Sequence, residues 1–533
     1  MKLLIFIFVL CALGNTVFGS SYQNTYWIQF SDKLNSPYVL SEPEAYLSER
    51  AIERRRRQGI AIDSSDFPVN KTYVDSIKQL GFNVIHTSRW MNGAIASLDE
   101  SLTIDSIIQP SFVNFIQLTK SSALKSASNK LEDDSTSMAY YGSAYRQINM
   151  LKGDALHKVS KGEGVHIAVI DAGFLKADQM VAFDSLYARN GILGTYDFVK
   201  PGNNVFEEHS HGTAVLSIMA GNLPGKLIGA APHASYWLLR SEDAPSEFPV
   251  EEDYWIVAAE FADSVGCDVI NTSLGYSVFD VPDMNHSYQQ YDGKTLRISK
   301  AANLAVQKGM VVVSSAGNSG NDEWGHITAP AEAEHVLAVG AVNSQGDTVH
   351  FSSPGFDTEN ALPKPDISAM GAGVAYASPY SEEIVNGNGT SFSSPIIAGM
   401  AACMLAAFPE KNSFEIMQTI RELGNLYPQH DLKLGYGLPD FSALFGTNSI
   451  ASTVEYNKVL YPNPFDQQLF IHFTKEWETL KFFSLSGTKL LQLELSLNSQ
   501  EISSQSLSDL PKGVYFAILK SKNTSQRFKL IKR

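Results

Sequence analysis

Five short segments of the chain carry side chains of the types that catalyse acyl transfer. Asp171 ends the apolar run VHIAVID, Gly275 ends DVINTSLG and Asn318 ends VVVSSAGN. His211 lies in EHSHGTA at a predicted helix start, and Ser391 lies in the glycine-rich turn GNGTSFSSP before an apolar helix. Functional groups in an open parallel sheet gather beyond the carboxyl ends of its strands, so we expect these residues to lie close together.

The chemistry of these side chains is complementary. A serine at a helix N-terminus has a hydroxyl beside free backbone N–H groups that can face a developing oxyanion. A histidine can accept the serine proton and pass it to a leaving amine. A carboxylate can fix the imidazole tautomer and stabilise the imidazolium, and an asparagine amide can complete the oxyanion hole.

Each residue also has a purely structural alternative. Asp171 and Ser391 could be helix N-caps, and Asn318 could be a turn residue in the left-handed region. His209 is a rival for the role of the base, but only His211 is followed by Gly-Thr. The sequon Asn388-Gly389-Thr390 overlaps the serine turn by chance and predicts no glycosylation.

The motifs resemble the signatures of the subtilisin-like serine peptidases, the subtilases. Asp171-Ala172-Gly173, His211-Gly212-Thr213 and Gly389–Pro395 resemble the three catalytic signatures in the order typical of the family. The resemblance implies that Ser391 is the nucleophile, His211 the general base, Asp171 its orienting carboxylate and Asn318 the oxyanion donor. It also implies that a peptide is held as an added strand in a cleft lined by Ser273, Leu274, Gly275, Ser315 and Gly317.

The resemblance implies a secreted serine endopeptidase that works through an acyl-enzyme. Two residues depart from the family pattern: Ala172 stands where Ser or Thr is usual, and Ser393 stands where Ala is most frequent. The competing hypothesis is a non-catalytic surface-binding protein that keeps the fold, but such a scaffold has no need of Asp171, His211, Asn318 and Ser391 together.

The sequence holds no pattern for metal-dependent or alternative hydrolase chemistry. H-E-x-x-H, a cysteine pair at metal-ligand spacing and G-x-S-x-G are all missing. We therefore expect that catalysis requires no cofactor. Family members often bind structural calcium, which is an implied partner here, but the sequence assigns no metal ligands.

Residues 141–446 alternate strand and helix patterns, which predicts an α/β domain with a parallel sheet. The predicted helices are Asp253–Val265 and Thr295–Lys308. Five continuously apolar runs are too hydrophobic for half-exposed strands and are predicted to be buried parallel strands: Val165–Ile170, Tyr236–Leu239, Asp268–Thr272, Met310–Ser314 and Val336–Val342. By resemblance this is a three-layer subtilisin-like domain.

The N-terminus predicts export. Residues 1–20 combine Lys2, the apolar stretch Leu3–Leu13 and small residues near position 19, a pattern typical of a secretory signal peptide. Cys11 would leave with that peptide. Cys267 and Cys403 could pair, but their apolar surroundings favour two small buried hydrophobic residues.

Residues 21–119 occupy the position of a subtilase propeptide, which would be a small α+β domain and a partner of the cleft. Tyr26–Phe30 and Asn83–His86 are predicted strands, and Ala45–Arg57 a helix. The run Arg54–Arg57 follows two glutamates, which favours a solvated charged face over a processing or anion-binding site. Residues 120–140, rich in Ser, Lys and Asp, predict a protease-sensitive linker.

Residues 452–533 contain short, evenly spaced strands, which predicts a small β-sandwich. Their motifs, including Tyr461–Phe465 and Leu510–Tyr515, resemble the C-terminal sorting domain of the bacterial type IX secretion system. That machinery is therefore an expected partner, with a secreted or cell-surface location. The alternative is an ordinary carbohydrate- or protein-binding module.

Composition excludes two further classes of protein. Lys and Arg total 41 against 56 Asp and Glu, giving a formal net charge of −15, which argues against nucleic-acid binding. After the N-terminus, the best candidate for a transmembrane span is Pro395–Phe408, which better suits a core helix. The expected substrate is a peptide or protein.

Overall fold

The computed structural model describes residues 24–99, 101–121, 140–358, 362–381 and 383–445, together with separate segments between 460 and 532. They form two compact units, residues 1–444 and 445–533. The predicted signal peptide and nearly all of the predicted linker lie outside the described residues.

The N-terminal domain is a four-stranded antiparallel sheet with two helices. The strand order is β2-β3-β1-β4, with β1 Thr25–Phe30, β2 Phe82–Ser88, β3 Gly93–Leu98 and β4 Val113–Lys120. The helices are α1 Glu49–Gln58 and α2 Lys71–Gln79. Alternate residues of β1 and β3, including Ile28, Phe30, Ala94 and Ala96, are buried in one apolar core. This is the α+β domain that the sequence predicted.

The first helix begins later than predicted, at Glu49 instead of Ala45. The Ser48 side chain accepts a hydrogen bond from the backbone N–H of Ala51 (3.2 Å) and caps the helix. Gly59, in the left-handed region at φ +69°, ends it. Pro43–Ala45 forms only a separate 3-10 turn.

The prediction that Arg54–Arg57 form a solvated face is wrong for half of the run. Arg54 and Arg55 are 2% and 0% exposed, whereas the Arg56 side chain is 76% exposed. Both buried guanidinium groups bind the carboxylate of Asp263, Arg55 at 2.7 Å, and Arg55 also binds Asp66 at 2.7 Å. Burial of a charge is tolerated only when it is paired in this way.

The central domain is built on a seven-stranded sheet in which every pairing is parallel. The order is β13-β12-β11-β10-β5-β9-β6, with β5 His166–Asp171, β6 Ile192–Asp197, β9 Ser235–Arg240, β10 Val269–Thr272, β11 Val311–Ser315, β12 Leu337–Val342 and β13 Ile367–Met370. All five predicted buried strands lie in this sheet. Two small antiparallel pairs accompany it, β7 Asn222–Leu223 with β8 Leu227–Ile228, and β14 Ala372–Ala377 with β15 Ile384–Asn388.

Helices cover both faces of this sheet. Asn271 of β10 accepts a hydrogen bond from Ser394 (3.0 Å), while the next residue, Thr272, accepts one from Trp255 (3.0 Å). Adjacent strand residues point to opposite faces, so the helices of Ser394 and Trp255 form separate layers. The helices are α3 Tyr145–Asn149, α4 Gly153–His157, α5 Asp184–Ala188, α6 His211–Ala220, α7 Val250–Val265, α8 Arg297–Gln307, α9 Thr390–Ala407 and α10 Ser413–Glu422.

Helix α9 lies in the core of this domain. Among the described residues it is the one helix that is long and apolar enough to cross a membrane, and 78% of its 18-residue window is buried inside the protein. A core helix passes the same test, in line with the expectation for Pro395–Phe408. Cys403 of α9 and Cys267 are both buried and unpaired, which decides against a disulfide.

The C-terminal unit consists of two antiparallel sheets. One has the order β16-β17-β20 and the other β19-β18-β21-β22, with β16 Leu460–Tyr461, β17 Gln468–Ile471, β18 Thr479–Phe483, β19 Lys489–Glu494, β20 Glu501–Ser503, β21 Gly513–Lys520 and β22 Ser525–Lys532. Leu480 and Phe482 alternate along β18 and are both fully buried, which marks the inner face of that sheet.

The buried arginines predict a contrast between two neighbouring residues of α1. Arg55→Ala removes one buried partner from Asp263, which keeps Arg54 and Arg89, and one from Asp66, which keeps Lys308. The lost buried hydrogen bonds should reduce the free energy of unfolding of the uncleaved chain by about 1–3 kcal/mol. Arg56→Ala, whose ion pair with Glu53 is exposed, should change it by less than about 0.5 kcal/mol. Denaturant unfolding of both variants measures the difference, and equal effects would contradict the burial of Arg55.

Candidate active site

Asp171 is the last residue of β5 and is fully buried. Its Oδ1 accepts hydrogen bonds from the backbone N–H of Ala172 and from Nδ1 of His211, both at 2.8 Å. The carboxylate therefore fixes the histidine tautomer in which Nδ1 carries the proton and Nε2 has a free lone pair.

His211 is the first residue of α6, and Gly212 permits the start of that helix to approach β5 closely. A Cβ at Gly212 would come within 3.0 Å of both the Gly173 carbonyl and the Asp171 side chain. The hydroxyl of Thr213 donates to the Leu175 carbonyl at 2.9 Å and holds the helix in place. The Gly-Thr that follows the histidine thus has a direct positional role.

The structure distinguishes the two candidate histidines. The His211 ring bonds to Asp171, whereas His209 Nδ1 accepts the backbone N–H of His211 at 3.3 Å. Burial lowers the pKa of His211, but the charge and the hydrogen bond of Asp171, together with the charge of Glu242, outweigh burial and raise it above 6.5. The imidazole is consequently neutral only above that raised pKa.

The second carboxylate oxygen of Asp171, Oδ2, differs from Oδ1 in its hydrogen bonding. Asp171 Oδ2 is buried and has no hydrogen-bond partner among the described residues. An unpartnered buried carboxylate oxygen is costly, since buried polar atoms are nearly always satisfied. The neighbour at position 172 is an alanine, so the hydroxyl that the family usually carries there is absent, as the sequence indicated.

Ser391 lies in the first turn of α9, two residues after the capping Gly389. Its hydroxyl donates to the Ser273 carbonyl at 3.1 Å, and its own carbonyl accepts from the Ser273 hydroxyl at 2.9 Å. The second bond is explained by Pro395, which lacks the N–H that would otherwise bond to the Ser391 carbonyl in the helix. Helix α9 therefore begins before Pro395, earlier than the apolar pattern alone suggested.

Asn318 lies beside the same helix start, with its amide orientation set by its partners. Asn318 Oδ1 accepts the backbone N–H of Thr390 at 2.8 Å and the Thr390 hydroxyl at 3.0 Å, so Nδ2 points the other way. A Cβ at Gly389 would lie 3.6 Å from Asn318 Nδ2 and 3.7 Å from the Ser391 N–H nitrogen. Both nitrogens thus lie near one point beside Gly389, and the Ser391 N–H has no acceptor within its own helix.

The remaining predicted cleft residues form two walls beside Ser391. Ser273, Leu274 and Gly275 follow β10, and the Ser273 hydroxyl reaches Ser391. Ser315 donates to the Leu274 carbonyl at 3.4 Å, and the Gly317 N–H donates to the Thr390 hydroxyl at 3.2 Å. The segments that follow β10 and β11 and the start of α9 are therefore joined to one another by hydrogen bonds. The Ser393 hydroxyl is satisfied by the Thr390 carbonyl at 2.9 Å, so that departure costs no hydrogen bond.

Glu242, which sequence analysis missed, lies just after β9 and contributes to the field at the site. It accepts a hydrogen bond from the Tyr276 hydroxyl at 2.8 Å, and burial raises its pKa to about 7. Its carboxylate and those of Glu247 and Glu251 approach within 4.8 Å of one another. The signal available in the sequence was its place after a buried strand, the same signal that marked Asp171.

Comparison with known families agrees with this geometry. The model of the subtilase family matches residues 162–437. The chain belongs to the subtilase family. Residues 25–135 of this subtilase match a peptidase S8 propeptide domain of Bacteroidota, and residues 459–533 match a secretion system C-terminal sorting domain.

Curated proteins similar to this chain include two bacterial subtilisins and a bacterial serine proteinase. Subtilisin E of Bacillus subtilis (strain 168) is 28% identical over 362 residues, which cover 66% of this chain and 82% of the relative. Subtilisin of Bacillus pumilus is 30% identical, covering 49% and 84%, and the thermophilic serine proteinase of Bacillus sp. (strain AK1) is 31% identical, covering 53% and 62%. This subtilase is thus a secreted serine peptidase with a propeptide and a type IX sorting tail.

The unsatisfied oxygen of Asp171 predicts the effect of restoring a hydroxyl. In Ala172→Ser, a hydrogen bond to Asp171 Oδ2 would withdraw charge from the carboxylate and weaken its stabilisation of the protonated histidine. The kinetic pKa of the acid limb of kcat/KM should therefore be lower than in the wild type. Ala172→Val, which adds bulk without a donor, is the control, and an equal shift in both variants would exclude the hydrogen bond as the cause.

Proposed function

We propose that this subtilase is an endopeptidase in which Ser391 is the nucleophile, His211 the general base, Asp171 its orienting carboxylate and Asn318 an oxyanion donor. The observation that carries the proposal is that Asn318 Nδ2 and the Ser391 nitrogen both lie beside Gly389, while the His211 ring, bonded to the buried Asp171, stacks on Phe392, the residue after Ser391. No purely structural role calls for both arrangements in one place.

The first half of the reaction forms an acyl-enzyme. The Ser391 hydroxyl turns from the Ser273 carbonyl to Nε2 of His211, which takes its proton as the oxygen attacks the substrate carbonyl carbon. The carbonyl oxygen becomes an oxyanion held by Asn318 Nδ2 and the Ser391 N–H. His211 then gives its proton to the amine nitrogen, the C–N bond breaks and the amine leaves.

The second half regenerates the enzyme. Water gives a proton to His211 Nε2 as its oxygen attacks the acyl carbon, through a second oxyanion at the same donors. The bond to Ser391 Oγ then breaks and Oγ regains the proton. Asp171 stays ionised throughout and stabilises each imidazolium. Every proton is carried by His211, so the mechanism requires no cofactor.

The substrate is a peptide or protein bound between the segments Ser273–Gly275 and Ser315–Gly317, whose backbones flank Ser391. An extended peptide can lie there as an added strand, with main-chain hydrogen bonds supplying affinity. We also propose that the enzyme binds a structural calcium ion, as is typical of the family, and we assign no residues as its ligands.

The last strand of the propeptide domain, β4, ends near this cleft. Lys120, the last residue of β4, binds Asp243 at 2.9 Å, and Asp243 follows Glu242, whose charge acts on His211. We propose that residues 120–140 are a linker cut during maturation. The other segments are then a signal peptide (1–20), an inhibitory propeptide (21–119), the peptidase domain (141–446) and the sorting domain (452–533).

A fluorophosphonate probe tests the nucleophile directly. The mature wild-type protein should become covalently labelled because a triad activates its serine, whereas Ser391→Ala should not be labelled. Ser393→Ala, two residues away and outside the proposed triad, is the control and should be labelled like the wild type. An unlabelled wild type would favour the non-catalytic binding protein.

Removal of Asn318 tests the oxyanion donor. Asn318→Ala should lower kcat by about 10²–10³-fold, the general cost of losing one oxyanion-hole donor in a subtilisin. KM should change little, because the donor is aimed at the charge that develops in the transition state. Steady-state hydrolysis of a peptide substrate measures both constants, and an unchanged kcat would remove Asn318 from the mechanism.

A further inference from the structure

The two walls beside Ser391 define where the substrate side chain nearest the cut must lie. The residue whose carbonyl is attacked, called P1, has its carbonyl oxygen between Asn318 Nδ2 and the Ser391 N–H. Its side chain then starts between the segments Ser273–Gly275 and Ser315–Gly317. This inference rests on the proposed function and concerns what fits in that space.

A third segment, Thr328–Ala329, lies against both of these walls. Tyr276 and Ala329 exchange backbone hydrogen bonds of 2.9 and 3.1 Å, which places Thr328 against Gly275. The Thr328 N–H donates to the Ala316 carbonyl at 3.1 Å, which places the same residue against Gly317. The position of Thr328 is thus fixed by its own N–H, which bonds to Ala316, and by its neighbour Ala329, which is paired with Tyr276.

The side chain of Thr328 occupies the gap between the two glycines. A Cβ on Gly275 would come closer than 3.0 Å to Thr328 Oγ1. A Cβ on Gly317 would lie 2.9 Å from the same oxygen and 3.0 Å from Thr328 Cγ2. Both glycines therefore already lie in contact with this one side chain, which is 4% exposed.

Thr328 Oγ1 is itself buried and has no hydrogen-bond partner among the described residues. Buried hydroxyls are usually satisfied, so this one is unusual. Because the oxygen is shielded from solvent, the Thr328 side chain acts here through the volume that it fills.

We propose that Thr328 closes the P1 pocket and makes this subtilase selective for small P1 residues, namely glycine, alanine and serine. A leucine or phenylalanine side chain needs the volume that the Thr328 side chain fills. Thr328 cannot move aside, because Thr328 bonds to Ala316 and its neighbour Ala329 bonds to Tyr276. Steric exclusion of this kind is a specificity element in its own right.

The chain's own linker has the composition that such a pocket requires. Residues 121–139 contain six serines and three alanines, and no aromatic residue. If the enzyme cuts itself there, many of the available bonds follow a small side chain. The composition of the linker and the steric limit set by Thr328 thus both favour cleavage after small residues.

Peptides that differ only at P1 test the proposal. We expect the wild type to cleave those with Ala or Ser at least about 10-fold more efficiently, in kcat/KM, than those with Leu or Phe. Thr328→Gly should raise kcat/KM for the Phe peptide at least about 10-fold, because the gap opens. Thr328→Val, which keeps the shape of the side chain but not the hydroxyl, should keep the preference for small residues.

The outcomes separate this inference from the proposed function. A wild type that is labelled by the fluorophosphonate yet prefers Leu or Phe would overturn the small-residue pocket and leave the triad intact. So would a labelled Thr328→Gly variant with unchanged preference. The mass of the mature N-terminus is an independent measurement that needs no variant: processing after Ser, Ala or Gly supports the proposal, and processing after a large residue contradicts it.

Discussion

The site depends on how the unpaired N–H groups at the start of α9 are used. The Thr390 N–H donates to Asn318 Oδ1, and the Ser391 N–H has no acceptor within the helix or elsewhere in the described part of the chain. The first bond orients the asparagine so that Nδ2 and the Ser391 nitrogen both lie beside Gly389, at the proposed oxyanion position. Pro395 adds a further contact at this helix start. Because Pro395 has no N–H, the Ser391 carbonyl is left to accept the Ser273 hydroxyl, which joins Ser273 to the helix. One helix terminus thus organises the proposed nucleophile, the proposed oxyanion donors and one wall of the proposed cleft.

Docking of the N-terminal domain depends on a different constraint, the burial of like charges around one carboxylate. Arg54, Arg55 and Arg89 all bind Asp263 at the end of α7, with Arg89 at 2.6 Å. Replacing Asp263 would leave three buried guanidinium groups without the carboxylate that they share. The propeptide is therefore attached to the central domain by buried ion pairs, which require precise geometry. The interior of the propeptide domain, in contrast, is held together by apolar packing.

The sequence predicted much of the fold and the site because those features are local. Buried strands such as Val165–Ile170 are continuous apolar runs, and the residues at their ends carry the chemistry. Helix starts were predicted less well. Glu49 begins α1 because Ser48 caps it, and α9 begins before Pro395 because Ser273 satisfies the freed carbonyl. In the second case the decisive partner lies 118 residues away in the chain.

Residue types and short-range patterns were sufficient to predict which side chains could do chemistry and which apolar segments form the buried strands. Tertiary structure decided what each polar group meets. It buried Arg55 against Asp263, 208 residues away, left Asp171 Oδ2 without a partner and placed Thr328 between Gly275 and Gly317. The physical reason is that burial and steric contact depend on groups from distant segments, which no local pattern encodes.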